Sequence, residues 1–396
     1  MRLQWIPLII AIIINLASDF YIYDKLKKAF KPKWIRHAHL ALSAILFIYI
    51  IIAVSIPNRS VGNTGLVAIM WMLYSYFSFY IPKYFAIIIL WLCKIPKLWK
   101  SKQVPYSGII ATLIGIMVFA SMWWGALVTR TDYEVKEITL QFDNLPSQFD
   151  GYRMVQFSDL HVGSYAGDTT YVAELVDAIN GLDADIIFFT GDLVNRQTDE
   201  VLPFVPILSR LNAPDGVFSI LGNHDYGDYK NWESPEAKIQ NNLWMAQLQA
   251  NMGWNLMNNC DTVINRGNQS ITLIGVENWG EPPFSQYGKL STAHPALNDD
   301  NFKILLSHNP KHWRGEVLPE SNIDLMLSGH THAMQIEINL FGTRLSPSAW
   351  VYPEWGGIYE ENGQILYVNI GIGEVAIPMR IGATPEITLI TLKKAG

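Results

Sequence analysis

Four long apolar runs fill the first third of this chain and limit its fold more than any other feature. Trp5 to Tyr23, Leu40 to Ile56, Leu66 to Cys93 and Ser107 to Val128 each come close to or exceed the ~20 residues a helix needs to cross a bilayer. Polar faces are missing over most of each run, so a half-buried helix of a soluble domain does not describe them. A cleaved signal peptide is a poor account of the first, since three more follow and no small-residue cleavage site is evident. Pro82-Lys83 interrupts the third run. Splitting it there leaves Tyr84 to Leu92, too short to cross, so one long tilted or kinked helix is expected. Lys83 should then lie off the midplane, snorkelling or facing other helices.

The loops between the runs give an orientation. Lys25, Lys27, Lys28, Lys31, Lys33 and Arg36 separate the first two, and Lys94, Lys97, Lys100 and Lys102 the last two; the other side offers Arg2, Arg59 and Arg130. The positive-inside rule places both basic loops in the cytoplasm, with both termini and the rest of the chain outside. Trp123 and Trp124 would join the outer aromatic belt. A multi-pass protein of a bacterial cytoplasmic membrane, with an extracytoplasmic catalytic domain, is the expectation. A re-entrant third run would reverse that side.

Charge divides the chain at the same place. Residues 1–129 carry 13 Lys and Arg against 2 Asp and Glu, and residues 130–396 carry 16 against 33. We therefore expect a transmembrane region at 1–129 and a separate domain at 130–396. The acidic domain would repel nucleic-acid phosphates, so no nucleic-acid polymer is expected as a partner. Cys93 and Cys260 exclude a disulfide framework and a cysteine zinc site, and pairing between them is not expected.

Within 130–396, five short apolar runs each end in polar residues. Met154 to Phe157 delivers Ser158-Asp159-Leu160-His161, and Ile186 to Phe189 delivers Thr190-Gly191-Asp192. Val217 to Leu221 delivers Gly222-Asn223-His224-Asp225. Ile304 to Leu306 delivers Ser307-His308-Asn309, and Leu325 to Leu327 delivers Ser328-Gly329-His330-Thr331-His332. Ligand and catalytic groups of α/β sheets gather at such strand ends. Of seven histidines in this part, only His294 and His312 lie elsewhere, and both read as ordinary surface or core residues.

The surrounding pattern predicts a strand at 135–142 and helices at 169–182, around 200–210 and at 235–252. Strands are expected at 262–266, 270–276, 302–307, 323–328, 334–345, 364–370 and 386–392. Alternation that yields to a strand-rich half points to mixed sheets covered by helices.

Asp-x-His and His-x-His place both side chains on one side of an extended segment. Oxygen and imidazole donors together suit manganese, iron or zinc better than magnesium or calcium. Seven donors exceed the need of one tetrahedral ion, whereas two ions sharing a carboxylate would use them all.

The set Asp159-x-His161, Gly191-Asp192, Gly222-Asn223-His224-Asp225, His308 and Gly329-His330-x-His332 resembles the calcineurin-like metallophosphoesterase superfamily over about residues 150–375. The tail Pro378-Met379-Arg380-Ile381-Gly382 through Pro385-Glu386-Ile387 resembles its membrane-associated bacterial branch, with cell-wall-associated phosphoesterases and UDP-2,3-diacylglucosamine hydrolase relatives. The resemblance implies an αββα sandwich of two mixed sheets after the four-helix region. It implies one metal at Asp159, His161 and His332, a second at Asn223, His308 and His330, and Asp192 as bridge. His224 would face the phosphate and assist the leaving oxygen. Such a site hydrolyses a phosphoric ester by attack of metal-bound hydroxide. Ala333-Met334 stands where the family commonly has small glycines, so a bulkier pocket wall is expected.

The expected substrate is a lipid-linked or cell-envelope phosphoester, with membrane lipids as further partners. A UDP-2,3-diacylglucosamine-type pyrophosphatase is the alternative within the enzyme class. A catalytically silent metal-binding membrane sensor is the alternative outside it, disfavoured by the intact His224. A transporter would need a polar path, and the runs hold little charge beyond Asp19 and Lys83. Tyr226, Trp232, Trp279 and Phe284 would either receive a lipid or nucleobase, or cap the sheet.

Overall fold

The computed structural model describes residues 5–56, 61–99, 102, 104–282 and 285–396. The chain separates into two units, Met1–Val61 with Ala68–Ala126, and Gly62–Val67 with Leu127–Gly396.

The first unit is built on α1 (Trp5–Ala29), α2 (Lys33–Ser55), α3 (Asn63–Leu92) and α4 (Ser107–Leu127). Among the described residues, three helical stretches, Lys33–Ser55, Asn63–Trp99 and Ser107–Thr131, are long and apolar enough to span a membrane. Their apolar side chains face outward, as lipid-facing surface requires: Ile45, Ile48, Ile116 and Met117 are all exposed. α3 runs unbroken through Pro82. Lys83 turns inward to other helices. Its Nζ lies 2.7 Å from Asp19 Oδ1 on α1 and 3.3 Å from Ser43 Oγ on α2. Tyr80 donates to the other Asp19 oxygen at 2.8 Å, and His39 Nε2 meets the Asp19 carbonyl at 3.1 Å. Asn15 hydrogen-bonds Tyr76 and Tyr84 beside them.

In the second unit, two six-stranded sheets stack. The first joins β1 (Glu134–Phe142), β2 (Arg153–Phe157), β3 (Ile186–Phe189), β4 (Val217–Ser219), β5 (Trp254–Leu256) and β14 (Glu386–Lys394), in the order β1-β14-β2-β3-β4-β5. The second joins β6 (Cys260–Arg266), β7 (Gln269–Gly275), β8 (Lys303–Leu306), β9 (Leu325–Ser328), β12 (Gly357–Glu361) and β13 (Gln364–Val368), in the order β12-β13-β9-β8-β7-β6. β2, β3, β4 and β5 pair in parallel, as do β7, β8, β9 and β13. Their carboxyl ends therefore fall together within each sheet.

Alternation along β3 shows how the layers form. Ile186 and Phe188 join Met154, Ile304, Leu306, Leu325 and Leu327 between the sheets. Ile187 and Phe189 point the other way, into a core with Val172, Leu175, Val176 and Ile179 of α5 (Thr170–Asn180). Met245 and Leu248 of α7 (Pro235–Asn251), the helix that follows α6 (Val205–Leu208), join the same core. On the far face of the second sheet, Ile274, Leu305 and Met326 pack on Trp313 and Val317. This is the helix-flanked pair of mixed sheets the sequence implies.

The predicted strand at 334–345 is a correction. Residues His332–Gln335 form a tight turn, and only β10 (Ile338–Leu340) and β11 (Thr343–Leu345) follow, as a separate antiparallel hairpin. The apolar pattern there hides a left-handed backbone at Ala333 and Met334 and a two-residue turn at Phe341-Gly342. β5 and β12, short and partly exposed, carry little periodic signal and escape the sequence reading.

Candidate metal centre

Three of the five strand ends, those after β2, β3 and β9, turn through left-handed residues. Asp159, His161, Asp192, His330 and His332 all have positive φ, between 46° and 76°. The two-residue spacing of Asp-x-His and His-x-His thus does not act through an extended segment, as the alternation argument assumes. The side chains of these three ends converge because the backbone is left-handed just past β2, β3 and β9. Such conformations cost non-glycine residues roughly 1–3 kcal/mol each and concentrate at functional sites.

Glycines let those turns approach one another. A Cβ on Gly222 would lie 2.2 Å from Asp192 Oδ1, and one on Gly329 would lie 2.3 Å from Asp159 Oδ2. A Cβ on Gly191 would meet His308 Nδ1 at 2.8 Å. Asp225 organises the middle turn, accepting the backbone N–H groups of Asp192, Leu193, Val194 and Gly222 at 2.8–3.1 Å. Across the sheets, Gln156 Nε2 donates to Thr190 Oγ1 and to the Ser328 carbonyl.

Two clusters result. In the first, Asp159, His161 and His332 bring their donor atoms together. His332 Nε2 lies 3.2 Å from Asp159 Oδ1, and His161 Nε2 lies 3.1 Å from His332 Nε2. In the second, Asp192, His308 and His330 do the same. Asp192 Oδ2 lies 3.2 Å from His308 Nε2 and 3.6 Å from His161 Nε2, so one carboxylate serves both clusters. Asn223 is buried nearby; its Nδ2 donates to the Tyr229 hydroxyl at 2.8 Å, while its Oδ1 has no protein partner.

Backbone carbonyls orient the rings. Nδ1 of His161 faces the Val194 carbonyl at 3.1 Å, and Nδ1 of His308 faces the Thr190 carbonyl at 2.7 Å. Both leave Nε2 for the cluster, the arrangement by which metal-binding histidines are held. His330 is turned the other way, with Nε2 against the Tyr352 hydroxyl at 2.7 Å and Nδ1 inward, 3.2 Å from His308 Nε2. Arg380, fully buried, donates Nη2 to His332 Nδ1 at 3.2 Å.

The electrostatics call for cations. Burial would raise the carboxyl pKa of Asp159, but the neighbouring His332 and His308 hold it below the usual range. Asp192 is likewise depressed against its burial, by His308 and His224. Burial would lower His308, yet the Asp192 charge holds it up at about 9. Burial, then the His308 charge, push His330 down to about 3. Two buried anions, converging imidazole nitrogens and the partnerless Asn223 oxygen are donors that fit divalent transition metals.

His224 stands apart. Its Nδ1 meets the Asn195 carbonyl at 2.7 Å, and its ring packs against Tyr229 at 4.3 Å between centroids. Its backbone N–H donates to Asp192 Oδ1 at 2.8 Å. All eight sequence-predicted site residues are therefore brought to one place. Tyr229, Tyr352 and Asn195 were missed; they lie in loops without a motif, and no sequence signal marks them.

The flanking aromatics are mostly structural. Tyr226 is buried against Tyr287, and Trp279 is buried against His312. Trp232 donates to the Gly227 carbonyl. Phe284 lies outside the described residues. His294 and His312 are held by Asp261 and Glu316, as expected of non-ligands. Cys93 and Cys260 are free.

Residues 152–334 match the family described as Calcineurin-like phosphoesterase. Residues 1–130 match the family described as Probable Calcineurin-like phosphoesterase, transmembrane domain. An uncharacterized metallophosphoesterase of Bacillus subtilis, YkuE, is 32% identical over 265 residues, covering 66% of this chain and 85% of that protein. A transmembrane protein with metallophosphoesterase domain from Danio rerio is 27% identical; the match covers 72% of this chain but only 63% of that longer protein. The UDP-2,3-diacylglucosamine pyrophosphatase LpxG of Chlamydia trachomatis is 27% identical, covering 72% of this chain and 97% of that protein.

Proposed function

The chain belongs to the calcineurin-like metallophosphoesterases, as a membrane-associated member, and from that premise we propose that it hydrolyses a lipid-linked or cell-envelope phosphoester at a two-metal site. The observation that carries this reading is Asp192, whose Oδ2 lies within 3.2 and 3.6 Å of imidazole nitrogens from the two clusters. Asp159, His161 and His332 would hold one ion, and Asn223, His308 and His330 the other, with Asp192 between. Two divalent ions, when bound, neutralise phosphate charge and supply a nucleophile at neutral pH.

The rest falls to the chain's own groups. His224, held at Nδ1 by the Asn195 carbonyl, keeps Nε2 for the substrate and gives a proton to the leaving oxygen. Tyr229 packs on that ring and restricts it to one orientation. Asp225 keeps the Asp192 turn in register.

Substrate follows from which side of the membrane the site faces. The basic loops after the first and third apolar runs support an extracytoplasmic placement, which favours exported phospholipids, lipid-linked phosphates or wall phosphoesters. The likeness to LpxG over nearly all of that protein's length supports a second reading, a UDP-2,3-diacylglucosamine pyrophosphatase, which requires the cytoplasmic side.

Metal analysis of the full-length protein should give close to two transition-metal ions per chain, with a sharp drop in Asp192→Asn. Full occupancy at a single ion would refute the two-metal reading. Protease added to intact spheroplasts should cut the 130–396 region without lysis; protection until lysis would bring the pyrophosphatase reading forward.

A further inference from the structure

We propose that the hairpin of β10 and β11, with Trp350 beside it in sequence, is a bilayer-docking element of the catalytic unit. The register sets Ile338 opposite Leu345 and Leu340 opposite Thr343, so the three aliphatic side chains share one face. All three are about half exposed, at 56%, 49% and 51% for Ile338, Leu345 and Leu340. The other face carries Arg344, which grips Glu337 through two nitrogens at 2.6 and 2.9 Å and lies over the Trp355 ring. This inverts the usual rule. The polar side chain ties the hairpin to the body and the apolar face looks out.

The tip adds a second anomaly. Phe341 and Gly342 both have positive φ, 52° and 85°, as a two-residue turn of this hand requires. Asn or Asp normally takes the first position. Here a phenylalanine occupies it with its side chain 99% exposed. Trp350, five residues past the hairpin, is 89% exposed, and Val351 follows it outward. Among the described residues, nothing covers this strained, open aromatic surface.

A lipid surface is the occupant that the layout favours. The hairpin base, through Glu337, Asn339 and Arg344, lines a pocket of about 540 Å³ together with Glu134, Lys136 and Ile138 of β1. β1 starts only seven residues after Leu127, the last residue of the span α4, and that length of chain reaches at most ~25 Å. The hairpin is thus on a short leash to a point where the chain leaves a membrane helix. Tryptophan and phenylalanine with aliphatic neighbours and no acidic group on the face match the composition of membrane interfaces. Docking would also bear on the site, because Tyr352 follows Trp350 by two residues and touches His330. In that consequence alone the inference rests on the proposed lipid-phosphoester reading.

The test uses the full chain with Cys93→Ala and Cys260→Ser, reconstituted in nanodiscs of phosphatidylethanolamine and phosphatidylglycerol. A nitroxide is attached at Phe341→Cys, at Trp350→Cys, or at the exposed control Glu320→Cys. Docking is supported if labels at 341 and 350 collide with dissolved oxygen in preference to a water-soluble nickel chelate, with nickel accessibility several-fold below the control. It is overturned if both match the control. It is also overturned if the labels are shielded only in discs holding two copies, with dipolar broadening, which would make the face a contact between chains. Unlabelled Phe341→Ser/Trp350→Ser should keep its metal, showing that neither side chain supports the fold. Because the collision pattern is read without substrate, failure of the proposed hydrolysis leaves this result standing on its own.

Discussion

Both units of this protein bury charge, and they do it in opposite ways. Among α1, α2 and α3, Asp19 gives one carboxylate oxygen to Lys83 and the other to Tyr80, and Lys83 adds Ser43. That cluster closes on itself. At the strand ends, two carboxylates and four imidazoles converge with donor atoms facing each other, and Asn223 Oδ1 meets nothing. That cluster is open. A closed polar cluster needs no ligand and acts on packing; an open one is stable only with what it binds or with protons taken up in its place.

The largest effect expected from this contrast is at His224, which lies beside the open cluster and which we propose holds no ion. His224→Ala retains the backbone N–H on Asp192, so metal content should stay at the wild-type level. Turnover on a poor leaving group should fall by about 10²–10⁴-fold. Parallel loss of metal and turnover would show that the ring is structural.

Next comes the closed cluster. Asp19→Leu or Lys83→Met alone strands a buried partner and should cost about 3–5 kcal/mol of unfolding free energy in detergent, whereas the double variant should recover most of it. Equal, additive losses in a double-mutant cycle would contradict mutual satisfaction of the pair.

A third effect lies between the two extremes. Glu374 is buried with neither oxygen hydrogen-bonded, faced by Arg130 at 3.4 Å, and burial pushes its pKa up to about 7. A carboxyl raised on folding stabilises the protein fully below its ordinary pKa, near 4.5, and loses that contribution as pH climbs through 7. Thermal unfolding from pH 5 to pH 8 should therefore show a decline, on the order of 2–3 kcal/mol from this group, that flattens in Glu374→Gln. An unchanged slope in the variant would exonerate Glu374.

The smallest effect concerns how firmly the open cluster is held. Tyr352→Phe removes the hydroxyl on His330 Nε2 and should weaken metal binding by about 10–100-fold, read as a shift in chelator competition. An unaltered curve would leave His330 oriented by packing alone.

The proposed site was legible because its eight residues sit at the ends of apolar runs, and such runs survive in sequence as pattern. The turn geometry was not, since the left-handed turns at Asp159 and Asp192 pack closely against Gly329 and Gly222 from other strand ends. Tyr229 and Tyr352 reach the centre from loops whose course depends on tertiary packing, which leaves no local signature. Lys83 was expected off the midplane or against other helices, but its partner Asp19 lies on a different helix, and no spacing announces that pairing. The run at 334–345 failed for a different reason: hydrophobicity reports burial or contact, and in this hairpin the apolar face is turned outward.

The strand order carries a consequence for how the protein is made. β1, which leads out of the last membrane helix, pairs among the described residues only with β14, in parallel from Glu134↔Glu386 to Phe142↔Lys394, and β14 in turn pairs with β2. The strand that follows the anchor therefore waits for a strand synthesised after the rest of both sheets. At about 5–20 residues per second, the ribosome needs on the order of ten seconds or more to supply it. During that interval β1 and β2 present unpaired edges beside a membrane crowded with other nascent chains. Holding those edges apart until β14 emerges is a task for the chaperone machinery, and a ribosome stalled before β14 would leave an anchored chain whose first sheet cannot close.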